Sequence, residues 1–252
     1  MRFKDMTALI TGAGSGIGEE TAVRLANEGA KVILVGRTKE KLQHVATKVP
    51  GAAIFPADVT KKEEVDKLVS FVEEECETLD VLINGVGGSK HSPIMETAEE
   101  DWDAMQEVNL KSVFLSSQAL GALMIKQAEK ETNRRPRAIV NVASLSGHQA
   151  GAQIPHYSSA KAGALNFTKA LALELAPYGI RVNSVSPGFV ETPLTEDALT
   201  NERFSKAIER NTALKRVGQS AEIANIIAFV ASTEASYMVG SDVLADGGWL
   251  IK

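Results

Sequence analysis

The sequence contains a single cysteine among its 252 residues, Cys76. One thiol cannot form an internal disulfide, and it cannot build a thiolate cluster around a metal ion. The four histidines and the scattered carboxylates also show no metal-ligand spacing. We therefore expect no metal and a reducing, cytoplasmic setting.

Basic charge is not in excess either, because the formal net charge is -5 at pH 7 and the isoelectric point is near 5.5. Sequence-independent attraction to nucleic acid or anionic lipid depends on clustered lysine and arginine. The one basic cluster, Arg134, Arg135 and Arg137, precedes a strand-like segment and is interpreted as a solvated loop. A small molecule is the expected partner.

Long hydrophobic runs are also absent. Apolar runs such as Ile223 to Ala231 are too short to cross a bilayer. The N-terminal residues lead directly into a strand-like segment rather than a leader. No membrane association is expected.

Short apolar segments alternate with helix-period segments along the whole chain, which predicts parallel strands covered on both faces by crossover helices. The seven predicted strands are Thr7 to Ile10, Val32 to Val35, Ala53 to Pro56, Val81 to Ile83, Ile139 to Val142, Val182 to Val185 and Val243 to Leu244. The expected fold is a three-layer, doubly wound α/β Rossmann fold in a single domain, residues 1–252. Thr60 with Glu63, and Thr97 with Glu100, predict capping boxes at two helix starts.

One long segment, at about residues 192–218, interrupts this alternation before the last strand. Long insertions at the carboxyl ends of strands usually serve ligands. We expect short helices that form a lid over a cleft, the alternative being a packing excursion.

A glycine-rich turn follows the first strand and leads into a helix. Its residues are Thr11, Gly12, Ala13, Gly14, Ser15, Gly16, Ile17 and Gly18. Glycines let the backbone approach a pyrophosphate, and the helix N-terminus offers free amides. The turn predicts dinucleotide binding, the alternative being a tight turn without a ligand.

The second strand ends at Arg37 and Thr38, where the dinucleotide fingerprint normally has a carboxylate for the ribose diol. Arg37 could instead pair with a ribose 2'-phosphate, and Thr38 could add a hydroxyl donor. These residues favour NADP(H) over NAD(H), although Arg37 could also be an ordinary surface residue. After the third strand, Asp58 and Val59 are expected beside the adenine, unless Asp58 only caps a turn with Thr60.

Tyr157 and Lys161 are four residues apart, which on a helix places the phenol and the ammonium group on one face. A phenol titrates near 10 when unperturbed, so a neighbouring cation helps it to act as a general acid or base. Ser144 lies thirteen positions upstream.

Taken together, these motifs resemble the short-chain dehydrogenase/reductase family. The glycine pattern T-G-x-x-x-G-x-G, the pattern Y-x-x-x-K and a serine occur here in the family's order over the whole chain. The matching positions are Thr11, Gly12, Gly16, Gly18, Asn109, Ser144, Tyr157, Lys161, Pro187, Gly188 and Thr192. The resemblance implies a seven-stranded parallel sheet in the order 3-2-1-4-5-6-7, and a homotetramer or less often a homodimer.

The resemblance also implies residue roles. Ser144 and Tyr157 would hydrogen-bond a substrate carbonyl, Lys161 would hold the nicotinamide ribose, and Asn109 would position a water beside Lys161. Asn84 and Gly85 would contact the cofactor, and so would the turn of Pro187, Gly188, Val190 and Thr192. One departure is that the family's N-N-A-G reads Asn84, Gly85, Val86, Gly87 here, which alters the expected packing beside the cofactor.

The expected substrate pocket has no arginine or lysine, which favours an uncharged carbonyl compound. Its expected lining is the segment after Thr192 together with Gly88, Ser144, Leu145, His148, Gln149, Gln153, Tyr157 and Phe189. His148 could also have a purely structural role. A hydrolase triad of Ser144 with His148 or His156 is disfavoured because the G-x-S-x-G elbow is missing.

The leading hypothesis is an NADP(H)-dependent oxidoreductase that interconverts a ketone or aldehyde and an alcohol, such as a 3-oxoacyl-carrier-protein reductase or a sugar, polyol or steroid dehydrogenase. An NAD(H)-dependent alcohol or sugar dehydrogenase of the same family is the first alternative. A non-catalytic NADP-binding sensor or scaffold is the second.

Overall fold

The computed structural model describes all residues, Met1 to Lys252. Its nine strands are β1 Thr7–Thr11, β2 Lys31–Gly36, β3 Ala53–Pro56, β4 Val81–Asn84, β5 Arg137–Val142, β6 Ile180–Pro187, β7 Val190–Glu191, β8 Gly218–Gln219 and β9 Asp242–Ala245. Seven of them form one parallel sheet in the order β3-β2-β1-β4-β5-β6-β9. The predicted fold and strand order are confirmed, with β9 as the seventh strand of the sheet because β7 and β8 form a separate two-stranded ribbon.

Nine α-helices cover the sheet. They are α1 Gly16–Asn27, α2 Lys39–Ala46, α3 Lys62–Glu75, α4 Glu99–Gln106, α5 Ser112–Ala128, α6 Pro155–Leu175, α7 Glu196–Leu199, α8 Glu202–Asn211 and α9 Ser220–Ala231. Two apolar cores lie on opposite faces of the sheet. Successive side chains of a strand point to opposite faces of the sheet. The neighbours Leu9 and Ile10 in β1 are therefore both fully buried, but in different cores.

Between α4 and α5 the helix continues through a π-helical segment, Glu107–Lys111, with the fully buried Asn109 at its centre. Such segments often mark functional sites. The combined helix, Glu99–Ala128, is long and apolar enough to cross a membrane by length and composition alone, with a hydropathy of 1.3. It is a core helix of this fold, because 56% of that apolar window is buried inside the protein.

Both predicted capping boxes are wrong. Thr60 donates its hydroxyl to Asp58 at 2.8 Å, and α3 is preceded by Lys61. Thr97 donates to the Pro93 carbonyl at 2.9 Å. The hydroxyls are satisfied within the preceding turns, and the capping box that the structure contains is at the start of α9.

The prediction of a solvated arginine loop is also wrong for Arg137. This residue begins β5, is 1% exposed, and pairs with Glu131 at 2.6 and 3.0 Å. Because Arg137 lies in β5, its guanidinium group is buried, and the carboxylate of Glu131, which follows α5, compensates its charge.

Candidate active site

A cleft of about 330 Å³ runs along the carboxyl ends of the central strands. The predicted cofactor-binding residues that line it are Gly12, Ser15, Gly16, Ile17, Gly18, Arg37, Thr38, Asp58, Val59, Gly85, Tyr157, Lys161, Pro187, Gly188, Val190 and Thr192. Residues distant in sequence therefore meet in one cleft, as expected where strand order reverses in an open α/β sheet.

The glycine-rich turn packs its backbone against the loop after β4. Gly12 has a φ of 70°, and a Cβ there would lie 2.7 Å from the carbonyl oxygen of Gly85. A Cβ at Gly18 would collide with the carbonyl oxygen of Gly12. The side chain of Ser15 makes no capping bond at the start of α1, so this helix end leaves its first amides free for an anion.

Arg37, Thr38 and Asp58 lie at the other end of the cleft, and Arg37 and Thr38 are exposed to solvent. Burial raises the pKa of Asp58, but hydrogen bonds from the amide and hydroxyl of Thr60, together with the charge of Arg37, outweigh this and lower the pKa. Asp58 thus caps the turn with Thr60 and also lines the cleft. This end combines an ionised carboxylate with a free guanidinium.

Ser144 follows β5, and Tyr157 lies in the first turn of α6. Both line the cleft, and Ser144 Oγ accepts a hydrogen bond from the Ser146 amide at 3.1 Å. Burial raises the pKa of Tyr157, and the neighbouring Ser144 hydroxyl partly offsets that rise. The serine is therefore close enough to share a ligand atom with the phenol.

Lys161 lies one turn after Tyr157 and is 3% exposed. Its Nζ donates to the carbonyl of Val142 at 2.8 Å and lies 5.8 Å from the centre of the Tyr157 ring. No carboxylate pairs with it, and burial lowers its pKa to about 8. The cation is left with donor capacity for hydroxyl groups in the cleft.

Asn109 is fully buried and does not itself line the cleft, but it contacts the loop after β4. Its Nδ2 donates to the carbonyl of Gly88 at 2.9 Å, and its Oδ1 accepts from the Gly88 amide at 3.2 Å. A Cβ at Gly87 would lie 3.2 Å from Asn109 Oδ1 and 3.5 Å from Lys161 Nζ. Gly87 thus separates the asparagine from the lysine.

Asn84 does not line the cleft. It is 2% exposed and donates from Nδ2 to Ser117 Oγ at 2.9 Å and to Asn141 Oδ1 at 2.8 Å. Its Oδ1 is buried without a partner. The side chain belongs to a polar cluster within the protein.

The residues expected around the substrate fall in different places. Ser144, Tyr157 and Gly88 line the cleft, whereas His148, Gln149 and Gln153 line a second, open cavity of about 750 Å³. Two others line neither cavity: Leu145 is buried, and Phe189 packs its ring against Phe204 at 5.6 Å and Trp249 at 4.7 Å. The structure does not bring the expected pocket together as one surface.

Several cleft residues escaped the sequence reasoning. They include Lys41, Val108 and Ala143, whereas Leu194 and Thr195 belong to the segment after Thr192 that was expected at the pocket. Lys41 lies in the first turn of α2, four residues after Arg37, and this closeness in sequence could have identified it as a second cation at this end of the cleft. The others carry no chemical signal in the sequence.

Known proteins share this architecture over its full length. A family model described as enoyl-(acyl carrier protein) reductase matches residues 12–250. The 3-oxoacyl-acyl-carrier-protein reductase FabG of Thermotoga maritima is 39% identical over 255 residues, covering 100% of both chains.

Solved structures of other proteins have the same fold. A short-chain type dehydrogenase/reductase from Mycobacterium marinum superposes with a TM-score of 0.93 at 33% identity, covering 99% of this chain and 97% of the other. A candidate 2-deoxy-D-gluconate 3-dehydrogenase from Agrobacterium tumefaciens, with bound NADP, gives a TM-score of 0.87 at 33% identity and covers 99% and 98%.

Proposed function

This chain belongs to the short-chain dehydrogenase/reductase family and is an NAD(P)-dependent oxidoreductase, and we propose that it uses NADP(H) to interconvert a ketone or aldehyde and an alcohol. The observation that carries the proposal is the meeting of Ser144, Tyr157 and Lys161 in a cleft that also contains the glycine-rich turn and Arg37.

The residues of the cleft fit a dinucleotide. The first amides of α1 and the turn of Gly12 to Gly18 would hold the pyrophosphate, Arg37 and Thr38 the ribose 2'-phosphate, and Lys161 the ribose hydroxyls beside the nicotinamide. Bound NADP(H) would supply the hydride chemistry. NADP in the related Agrobacterium tumefaciens structure supports the choice of cofactor.

Tyr157 is the proposed general acid for reduction and general base for oxidation. Ser144 would hold the substrate oxygen in hydrogen-bond reach of the phenol, so that the proton moves along a formed bond. Burial alone would keep Tyr157 protonated, and the buried Lys161 cation provides the positive charge that stabilises a phenolate. Asn109 is proposed to hold the loop of Gly87 and Gly88 beside Lys161.

Residues 192–218 are proposed as a lid over the single domain. This segment contains α7 and α8, and Pro193, Leu194 and Thr195 line the cleft. Leu194 and Leu214 are 54% and 62% exposed, which would leave apolar surface for an uncharged substrate.

A homotetramer or homodimer is also proposed. Leu173 on α6 is 77% exposed and Phe114 on α5 is 40% exposed, while Tyr237 and Leu244 expose apolar surface around β9. Such exposed apolar side chains suit subunit contacts. Light scattering that shows a monomer would contradict this assembly.

The proposed function is tested by following NADPH absorbance across a panel that includes 3-oxoacyl thioesters, keto-sugar acids and simple ketones. Tyr157→Phe should lower turnover by about 10² to 10⁴-fold, while NADPH affinity in a fluorescence titration stays nearly unchanged. Wild-type protein that binds NADPH but oxidises it with no member of the panel would favour the non-catalytic alternative.

A further inference from the structure

His148 contacts a residue that the redox site does not use. Its Nε2 lies 2.9 Å from Asp242 Oδ2 and 3.2 Å from Ser186 Oγ. Asp242 begins β9, which is 94 residues away in sequence. The pair therefore ties the loop after β5 to the last strand of the sheet.

Asp242 is itself fixed from the neighbouring strand. Its Oδ1 accepts hydrogen bonds from Ser184 Oγ at 2.5 Å and from Ser186 Oγ at 2.9 Å. Both serines lie in β6 and are at most 1% exposed, and Ser184 is the register partner of Asp242. The acceptor for His148 is thus held by two buried hydroxyls rather than by a mobile surface group.

On the other side, His148 closes the turn that begins with Ser144. The Gly147 amide donates to the Ser144 carbonyl at 2.9 Å, and the His148 amide donates to the Leu145 carbonyl at 3.0 Å. Ser144 Oγ accepts from the Ser146 amide within the same turn. These three hydrogen bonds all lie within residues 144–148.

The turn also packs against α6. A Cβ at Gly147 would lie 2.8 Å from Leu165 Cδ1 and 3.0 Å from the carbonyl carbon of Lys161. The turn is therefore pressed against the helix that carries Tyr157 and Lys161, and its far end is held by β9. With this contact on one side and the His148 bond on the other, little freedom remains for Ser144.

We propose that His148 is a positioning residue for Ser144: through its bond to Asp242, it holds the turn of residues 144–148 so that Ser144 Oγ stays in reach of the substrate oxygen beside Tyr157. The inference rests on the proposed function. His148 does not touch the reacting atoms in this role, and the turn amides report its effect without any turnover.

The test compares His148→Ala, His148→Gln, Asp242→Ala and the double alanine variant with His44→Ala, a control at an exposed histidine of α2. Hydrogen exchange at the amides of Ser146, Gly147 and His148 is measured first, in the cofactor-free protein. It should speed up by about tenfold or more in both the His148→Ala and the Asp242→Ala variants. In His148→Ala, exchange elsewhere in the sheet should not change, whereas Asp242→Ala also removes the acceptor of Ser184 and Ser186 and should speed up exchange in β6 as well. In His44→Ala it should stay as in the wild type.

Steady-state kinetics follow on the carbonyl compound that the wild type reduces best. His148→Ala should lower kcat by about 10 to 100-fold, because a misplacement of about 1 Å can have that effect. KM and NADPH affinity should stay within about threefold. His148→Gln, which retains an N–H donor, should recover part of kcat, and the double variant should fall no further than the worse single variant.

Unchanged exchange in the turn would overturn the inference, and so would an effect confined to KM, which would mark a direct substrate contact. Faster exchange throughout the protein, with loss of NADPH binding, would overturn it as well. If the wild type reduces no carbonyl compound, the proposed function fails, and the exchange measurement alone then decides whether His148 holds the turn.

Discussion

The Nζ of Lys161 lies 5.8 Å from the centre of the Tyr157 ring, with both side chains on one face of α6. Burial acts on the two groups in opposite directions, since it raises the pKa of the phenol and lowers the pKa of the ammonium group to about 8. Each shift disfavours the charged form. Burial thus opposes the charge on each group separately, whereas the ammonium group of Lys161 favours a phenolate on Tyr157 through the attraction of opposite charges.

The lowered pKa of Lys161 predicts that the stability of the protein depends on pH. The pKa of Lys161 is about 8 in the folded protein and 10.5 without burial. Between these values the unfolded chain binds more protons, so the free energy of unfolding should rise with pH. From pH 7 to 9.5, the cofactor-free wild type should gain about 2 kcal/mol relative to Lys161→Met.

Urea unfolding at the two pH values measures this gain. Lys169→Met, at an exposed lysine of the same helix, is the matched control and should show no such difference. A stability difference between wild type and Lys161→Met that does not change with pH would contradict the prediction.

Gly87 and Gly88 are neighbouring glycines, and their alanine variants can be compared directly. Gly87→Ala would place a Cβ 3.2 Å from Asn109 Oδ1, whereas Gly88→Ala would make an ordinary contact, 3.4 Å from Val108 Cγ1. The first change should loosen the two Asn109 hydrogen bonds to Gly88, each worth about 1 kcal/mol, and should lower kcat by roughly tenfold. Gly88→Ala should stay within about twofold in the same NADPH assay, and an equal loss in both variants would show that the Asn109 contact is not the cause.

Local patterns explain why much of the cleft was predictable. The spacing of Tyr157 and Lys161 acts within one helical turn, and the glycines from Gly12 to Gly18 act within one strand, turn and helix unit. Such signals do not depend on what packs against them. The alternation of apolar segments likewise predicted the layered sheet, and the resemblance supplied its strand order.

Contacts between distant segments were not predictable. The burial of Arg137 depends on where β5 enters the sheet, and the partner of His148 is on β9. The sequence also assigns Thr60 to a helix cap, and the structure instead contains the alternative that the sequence leaves open, in which the Asp58 carboxylate accepts its hydroxyl. In each case the contact depends on a partner from a distant segment or on a competing local acceptor, and the residue type alone does not identify that partner.

Arg37 predicts cofactor preference. Arg37→Ala should raise the KM for NADPH by roughly 10 to 150-fold, because a hydrogen bond to a charged group is worth about 1.5 to 3 kcal/mol, and should leave the KM for NADH nearly unchanged. Lys39→Ala is the control, since this exposed neighbour does not line the cleft. Equal effects on both cofactors would exclude a 2'-phosphate contact at Arg37.

The pair of Arg137 and Glu131 predicts a loss of stability without a loss of function. Arg137 is fully buried and its Nε has no partner, so removing the carboxylate would leave an uncompensated charge. Glu131→Ala should destabilise the protein by about 3 to 5 kcal/mol. Asp66→Ala removes a pair with Lys62 in which both side chains are more than half exposed, and it should cost at most about 1 kcal/mol.

The distance between this ion pair and the cleft explains why Glu131→Ala should retain activity. Arg137 begins β5 and Val142, the acceptor for Lys161, ends it, so five steps of about 3.3 Å each put the ion pair roughly 17 Å from the cleft. At 25 °C, the folded Glu131→Ala variant should therefore keep kcat and KM within about twofold. Thermal unfolding and NADPH oxidation by the same sample separate the two effects, and a loss below 1 kcal/mol would show that Arg137 does not depend on Glu131 for its charge compensation.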